Sequence, residues 1–136
     1  MYRRDGPEET KPIGETEFVH AIAQSTSGQH GPARVLAGII GYANLTLGAG
    51  VARVLEGHLA ASPDRFRGIR QICVWDTDPA VPITAQVPKP GLMLDSTFRA
   101  GFACLKRYKL SFETFLYWPA PTDWSTLRLV LSGDQF

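Results

Sequence analysis

Apolar positions recur in three successive blocks, at residues 18–40, 51–74 and 98–116, each starting at helical spacing and ending as a nearly unbroken run. In the first, Gly14-Glu15-Thr16-Glu17 opens a helix with Phe18, Val19, Ile22 and Ala23 on one side. Its acidic first turn suits the positive end of the helix dipole. Ser27-Gly28 and Gly31-Pro32 end that helix, and 34–40 reads as a strand buried on both faces and centred near Leu36. The second block predicts a helix over 49–61, striped by Val51, Val54, Leu55 and Leu59. Ser62-Pro63-Asp64 breaks it before a strand at 67–74, centred near Ile69. In the third, Asp95 or Ser96 caps a helix striped by Phe98, Phe102 and Leu105, with Lys106-Arg107 at its carboxyl end. A strand at 110–116, centred near Phe112, follows.

Helix–strand units in series predict an α/β fold, with adjacent parallel strands, helices packed outside them and right-handed connections. The polar stretches between blocks read as loops. Residues 1–13 carry Pro7 and Pro12. Residues 76–94 carry Pro79, Pro82, Pro88 and Pro90, and a loop of that length is often a lid or binding loop. Past Tyr117-Trp118-Pro119 the pattern degrades, leaving 127–131 as an orphan strand. The expected division is one α/β unit over 1–118 and a divergent tail over 119–136. Three units are too few to close a barrel and begin without an opening strand, so the expectation is an internal portion of a larger α/β enzyme.

Composition narrows the function classes. The 136 residues are 44% hydrophobic and 20% charged, as in an ordinary globular protein. Fourteen basic against thirteen acidic side chains leave a net charge of +1, which gives no electrostatic footprint for nucleic acid or an anionic membrane. No apolar run approaches the ~18 residues of a membrane span. Met1-Tyr2-Arg3-Arg4 is not followed by an apolar region, so it does not read as a secretory signal, and the expected compartment is cytoplasmic. Cys73 and Cys104 sit in apolar surroundings and read as reduced thiols.

Sites in parallel α/β folds gather at the carboxyl ends of the strands. Tyr42, Asn44, Arg70, Gln71, Trp75, Asp76, Tyr117 and Trp118 are the polar or aromatic residues expected there. Arg70, Gln71, Trp75, Tyr42 and Trp118 are the expected substrate-binding residues, with Arg70 foremost. A guanidinium at a strand end can clamp a carboxylate through two parallel hydrogen bonds, or it can pair with acidic residues on neighbouring helices. Asp76 reads as a general base or metal ligand, or as part of a plain turn through Pro79. Trp75, Tyr117 and Trp118 fit either a pocket lining or packing at the rim. His20 and His58 fall within helix patterns and His30 in a Gly-rich loop, none with ligand spacing, so all three read as surface or capping residues. No nucleophile elbow, P-loop or dinucleotide fingerprint occurs, and no catalytic residue or metal ligand can be assigned.

Met1-Tyr2-Arg3, Gly14-Glu15-Thr16-Glu17-Phe18-Val19, Ala37-Gly38-Ile39-Ile40-Gly41, Phe66-Arg67-Gly68-Ile69-Arg70 and Leu110-Ser111-Phe112 occur in an order and spacing that resemble the amidohydrolase-related family. These are predicted metal-dependent TIM-barrel hydrolases, a group that includes the dicarboxylate lactonases. The resemblance covers residues 1–119. It implies about three helix–strand units of a partial (β/α)8 barrel and an activity in which water attacks an amide, ester or lactone carbonyl. The full-length parent would take a small-molecule carboxylate, lactone or amide and could use a divalent metal, zinc or manganese. No cofactor is expected within this chain. Family members are longer, and their His-x-His strand and late-strand ligands fall outside the matching region. Many have histidine where this chain has Tyr42, Gln71 and Trp118, and the tail 123–136 departs from them as a frameshift or early stop would make it. The resemblance therefore implies a fragment inactive alone, with self-association through open strand edges. The alternative is a non-catalytic α/β interaction or dimerisation module.

Overall fold

The computed structural model describes residues 1–26, 35–76, 78 and 90–115. Three helices, α1 (Ile13–Ser25), α2 (Ala52–Ala61) and α3 (Ser96–Tyr108), alternate with three short strands, β1 (Ile39–Gly41), β2 (Phe66–Arg70) and β3 (Ser111–Glu113). The strands form one open sheet in the order β1-β2-β3, and both pairings are parallel. Serial α/β units with adjacent parallel strands are what the hydrophobic blocks predict. Among the described residues, β1 and β3 each pair with β2 alone.

The strands are shorter than their apolar runs. The first was expected over 34–40 and centred near Leu36, but it begins at Ile39. Leu36 has φ of 55°, a left-handed conformation that interrupts extension. The Arg65 guanidinium donates to the carbonyls of Val35 and Leu36 there. Residue 34 lies outside the described residues. The second strand leaves the ladder after Arg70, although Cys73 and Val74 stay buried, so burial continues where extension in the sheet does not. The third pairs only over Ser111–Glu113, and residue 116 lies outside the described residues.

Helix α3 follows its sequence closely. The Asp95 carboxylate accepts from the amides of Thr97 and Phe98, at 2.8 and 2.9 Å, satisfying two donors that a helix start leaves orphaned. Phe98, Phe102 and Leu105 are buried, and both phenylalanine rings meet Phe112 of β3 edge-on, at 6.3 and 5.0 Å. Helix α2 starts later than the expected residue 49. A 3-10 segment, Leu45–Val51, precedes it and is broken at Gly48, whose φ of 57° and ψ of −138° no helix accommodates. Val51, Val54 and Leu55 are buried as expected, and Leu59 is partly so.

Helix α1 forms, but its expected stripe needs correction. Phe18 and Ile22 are exposed, at 44% and 37%, while Ile13, Thr16 and Ala23 are buried. The packed face therefore runs through a threonine, because the Thr16 hydroxyl has a buried partner in His58. Apolar residues from β1, β2, the 3-10 segment, α2 and α3 make one core cluster. Within it α3 comes so close to the 3-10 segment that a Cβ added at Gly101 would lie 2.2 Å from the Leu45 carbonyl oxygen. Cys73 is buried and Cys104 half-buried, both as thiols. Among the described residues no helix is long and apolar enough to cross a membrane.

Candidate functional site at the strand carboxyl ends

Strands β1 and β2 run side by side and in the same direction, so the chain leaves both at one end of the sheet. After β1 come Tyr42, Ala43 and Asn44; after β2 come Gln71 to Asp76. Gln71 ties the two exits together. It is 7% exposed, its Oε1 accepts from the Leu45 amide at 2.9 Å, and its Nε2 lies 3.5 Å from Asn44 Oδ1. Its own amide donates to the Glu113 carbonyl at 3.2 Å, which carries the link on to β3. The Asn44 side chain also accepts from the amide and hydroxyl of Thr46, fixing the start of the 3-10 segment. Gln71 thus stands at the expected place, with its carbonyl oxygen engaged inside the protein.

Arg70 also stands at the strand end, and it pairs with a strand neighbour. Its Nε and Nη2 both donate to Glu113 Oε2, at 3.0 and 2.6 Å, across the register pair Arg70–Glu113. Of the two readings for this arginine, the described geometry gives an ion pair, with the acid on β3 and not on a helix. Both side chains are about half exposed, so water screens the pair. Trp75 is 37% exposed just beyond the sheet. Asp76 accepts from the Asp78 amide at 2.8 Å, the geometry of the plain turn. Tyr117, Trp118 and His30 lie outside the described residues.

His58 overturns the surface-or-cap reading. It is fully buried in α2, with its ring stacked on Phe66 at 4.7 Å between centroids and 4° between planes. Nε2 lies 3.0 Å from the Tyr42 carbonyl, which can only accept, so Nε2 carries the proton. Nδ1, 2.8 Å from Thr16 Oγ1, then accepts from the threonine hydroxyl. Burial pushes the imidazole pKa below its usual value; the Tyr42 carbonyl opposes that shift, Arg3 adds to it and Glu17 opposes it. This neutral ring fastens α1, α2 and the exit of β1 together. His20, whose Nδ1 is 2.8 Å from Ser62 Oγ, makes a similar but half-buried link between α1 and the end of α2.

Beside the β1 exit lies a pocket of about 360 Å³, lined by Tyr2, Glu8, Glu9, Pro12, Tyr42, Asn44 and Leu47. Burial raises the Tyr42 pKa, reinforced by Tyr2 and Cys73. Burial and Glu15 raise that of Tyr2, so both phenols keep their protons at neutral pH. Glu8 pairs with Lys11 at 2.5 Å, and Glu9 pairs with Arg53. Tyr42 was expected at the site. Tyr2 and Glu9 were not, because they belong to a polar segment with no periodicity to place it; an aromatic at position 2 was the available signal.

The described residues do not fit a divalent metal. No three of their His, Cys, Asp and Glu side chains gather as a ligand set, and both nitrogens of the one fully buried histidine are engaged.

No family model matches the chain, and no solved structure matches it. The chain is similar to an uncharacterized protein, y4mH, of Sinorhizobium fredii, with 31% identity over 113 residues. Those residues are 83% of this chain and 34% of that protein, so the chain spans about a third of its relative's length.

Proposed function

We propose that this chain is three helix–strand units of a (β/α)8 barrel hydrolase of the amidohydrolase-related kind, acting on a small carboxylate, lactone or amide. The observation that carries this reading is the sheet itself, with parallel strands in chain order and Tyr42, Asn44, Arg70 and Gln71 collected where such barrels hold their substrates. The length of the y4mH relative is consistent with units that work in a longer protein. In such a site the Tyr42 phenol would donate to a substrate oxygen. Arg70 would exchange Glu113 for a substrate carboxylate. That exchange costs little, because an exposed ion pair contributes only about 0–1 kcal/mol. Trp75, with Trp118 beyond the described residues, would border the substrate. The groups that activate water, and any zinc or manganese, would come from outside the described residues. Two thiols fit a reducing compartment, the cytoplasm.

The test is a panel of lactones, amides and esters offered to full-length y4mH and to this chain, with and without zinc or manganese. Metal-stimulated turnover by y4mH and none by the chain alone is the expected result. An inactive y4mH would overturn the reading. It would leave the alternative, a non-catalytic module that dimerises through the outer edges of β1 and β3, for which the single pairing of each strand among the described residues speaks.

A further inference from the structure

We propose that the pocket beside the β1 exit binds a small molecule carrying an ammonium group. The site is a cavity of about 360 Å³, within the size range of small-ligand pockets. Its walls come from three parts of the chain, the N-terminal segment, the β1 exit and the 3-10 segment, so it is built by the fold and not by one local turn. Two protonated phenols, Pro12 and Leu47 give it aromatic and apolar surface. Two carboxylates line it, each paired with a cation outside the lining, Glu8 with Lys11 and Glu9 with Arg53.

That lining discriminates by sign. A carboxylate entering it would meet Glu8 and Glu9. An ammonium would meet them as partners and could lie against a tyrosine face, where the ring quadrupole attracts a cation. A ligand ammonium has to compete with Lys11 for Glu8 and with Arg53 for Glu9. Arg53, the partner of Glu9, is 62% exposed, whereas Glu9 is only 22% exposed. A ligand ammonium inside the cavity would therefore face a carboxylate screened less by water than the guanidinium competing for it. Glu8, at 83% exposure, contributes mainly to the rim.

This inference stands on the pocket and not on the hydrolase reading, so either can fail alone. The test titrates the purified chain near neutral pH with phenethylamine, with 3-phenylpropanamide and 3-phenylpropionate as neutral and anionic counterparts. The amine should bind more tightly than either. Glu9→Gln should weaken the amine by roughly fivefold or more and leave the amide unchanged. Arg53→Gln, which frees Glu9 from its competitor, should tighten it. That gain is a readout a merely structural role for the ion pair would not give. No binding of the amine to the unaltered chain, equal or tighter binding of the carboxylate, or affinity indifferent to Glu9→Gln would each overturn the proposal.

Discussion

The Gln71 side chain accepts a 2.9 Å hydrogen bond from the amide of Leu45, twenty-six residues earlier. The first residue of the 3-10 segment is thus held by the residue that follows β2. Leu45 is fully buried, so no water can replace this acceptor.

Gln71→Leu should therefore cost about 1–3 kcal/mol, the penalty for stranding a buried donor. Gln71→Glu keeps an acceptor oxygen but buries a carboxylate, so its cost should be smaller at acid pH, where the side chain is neutral, than at neutral pH. Urea denaturation of the three proteins at both pH values checks this. Equal stability of the leucine variant and the parent would show that the bond contributes nothing.

His58 sets a pH dependence whose sign follows from burial. The folded protein holds the ring neutral, with a pKa below its usual 6.5, while the unfolded chain takes up a proton near that value. Below that pH the unfolded state binds more protons, so stability falls as pH drops through about 6.5 and levels off below the lowered pKa. Above it the contribution is fully present. Urea midpoints measured across this range should show the slope, and His58→Gln should flatten it while lowering stability throughout. A slope that survives the substitution would assign it to another group.

Two glycines of similar sequence context should respond oppositely to alanine. At Gly101 the new methyl would lie 2.2 Å from a backbone oxygen that has no rotamer with which to retreat. Gly101→Ala should destabilise by about 1–3 kcal/mol, as overpacking does. At Gly50 nothing lies within 4 Å, so Gly50→Ala should be neutral or slightly stabilising through the unfolded chain. Thermal melts of both variants decide it.

The open sheet should make the purified chain self-associate. Among the described residues the outer edges of β1 and β3 are unpaired, and Phe18, Ile22 and Phe115 add exposed apolar surface. Light scattering should report oligomers or aggregates. A monodisperse monomer with a sharp cooperative melt would contradict this.

What the sequence shows and what it hides divide along physical lines. Block order, parallel pairing, the Asp95 cap and the Phe98–Phe102–Leu105 stripe follow from local periodicity and capping, and the structure has them. Strand extents do not follow, because an apolar run records burial and not hydrogen bonding. Leu36 is apolar yet left-handed, and Val74 is buried yet off the ladder. The Thr16–His58 pair is invisible to hydrophobic patterning, since each residue alone reads as polar surface and only their meeting makes both buriable. The Arg70–Glu113 pair depended on strand register, which three short strands leave undetermined until they are packed.

The near-contact of Gly101 with Leu45 also sets a timetable for the molecule's making. Leu45 leaves the ribosome long before α3 exists, and at ordinary elongation rates the wait is on the order of several seconds. Through that interval the segment beside the β1 exit lacks the helix that will pack against it. A nascent chain paused between β2 and α3 would hold this apolar stretch open to chaperones.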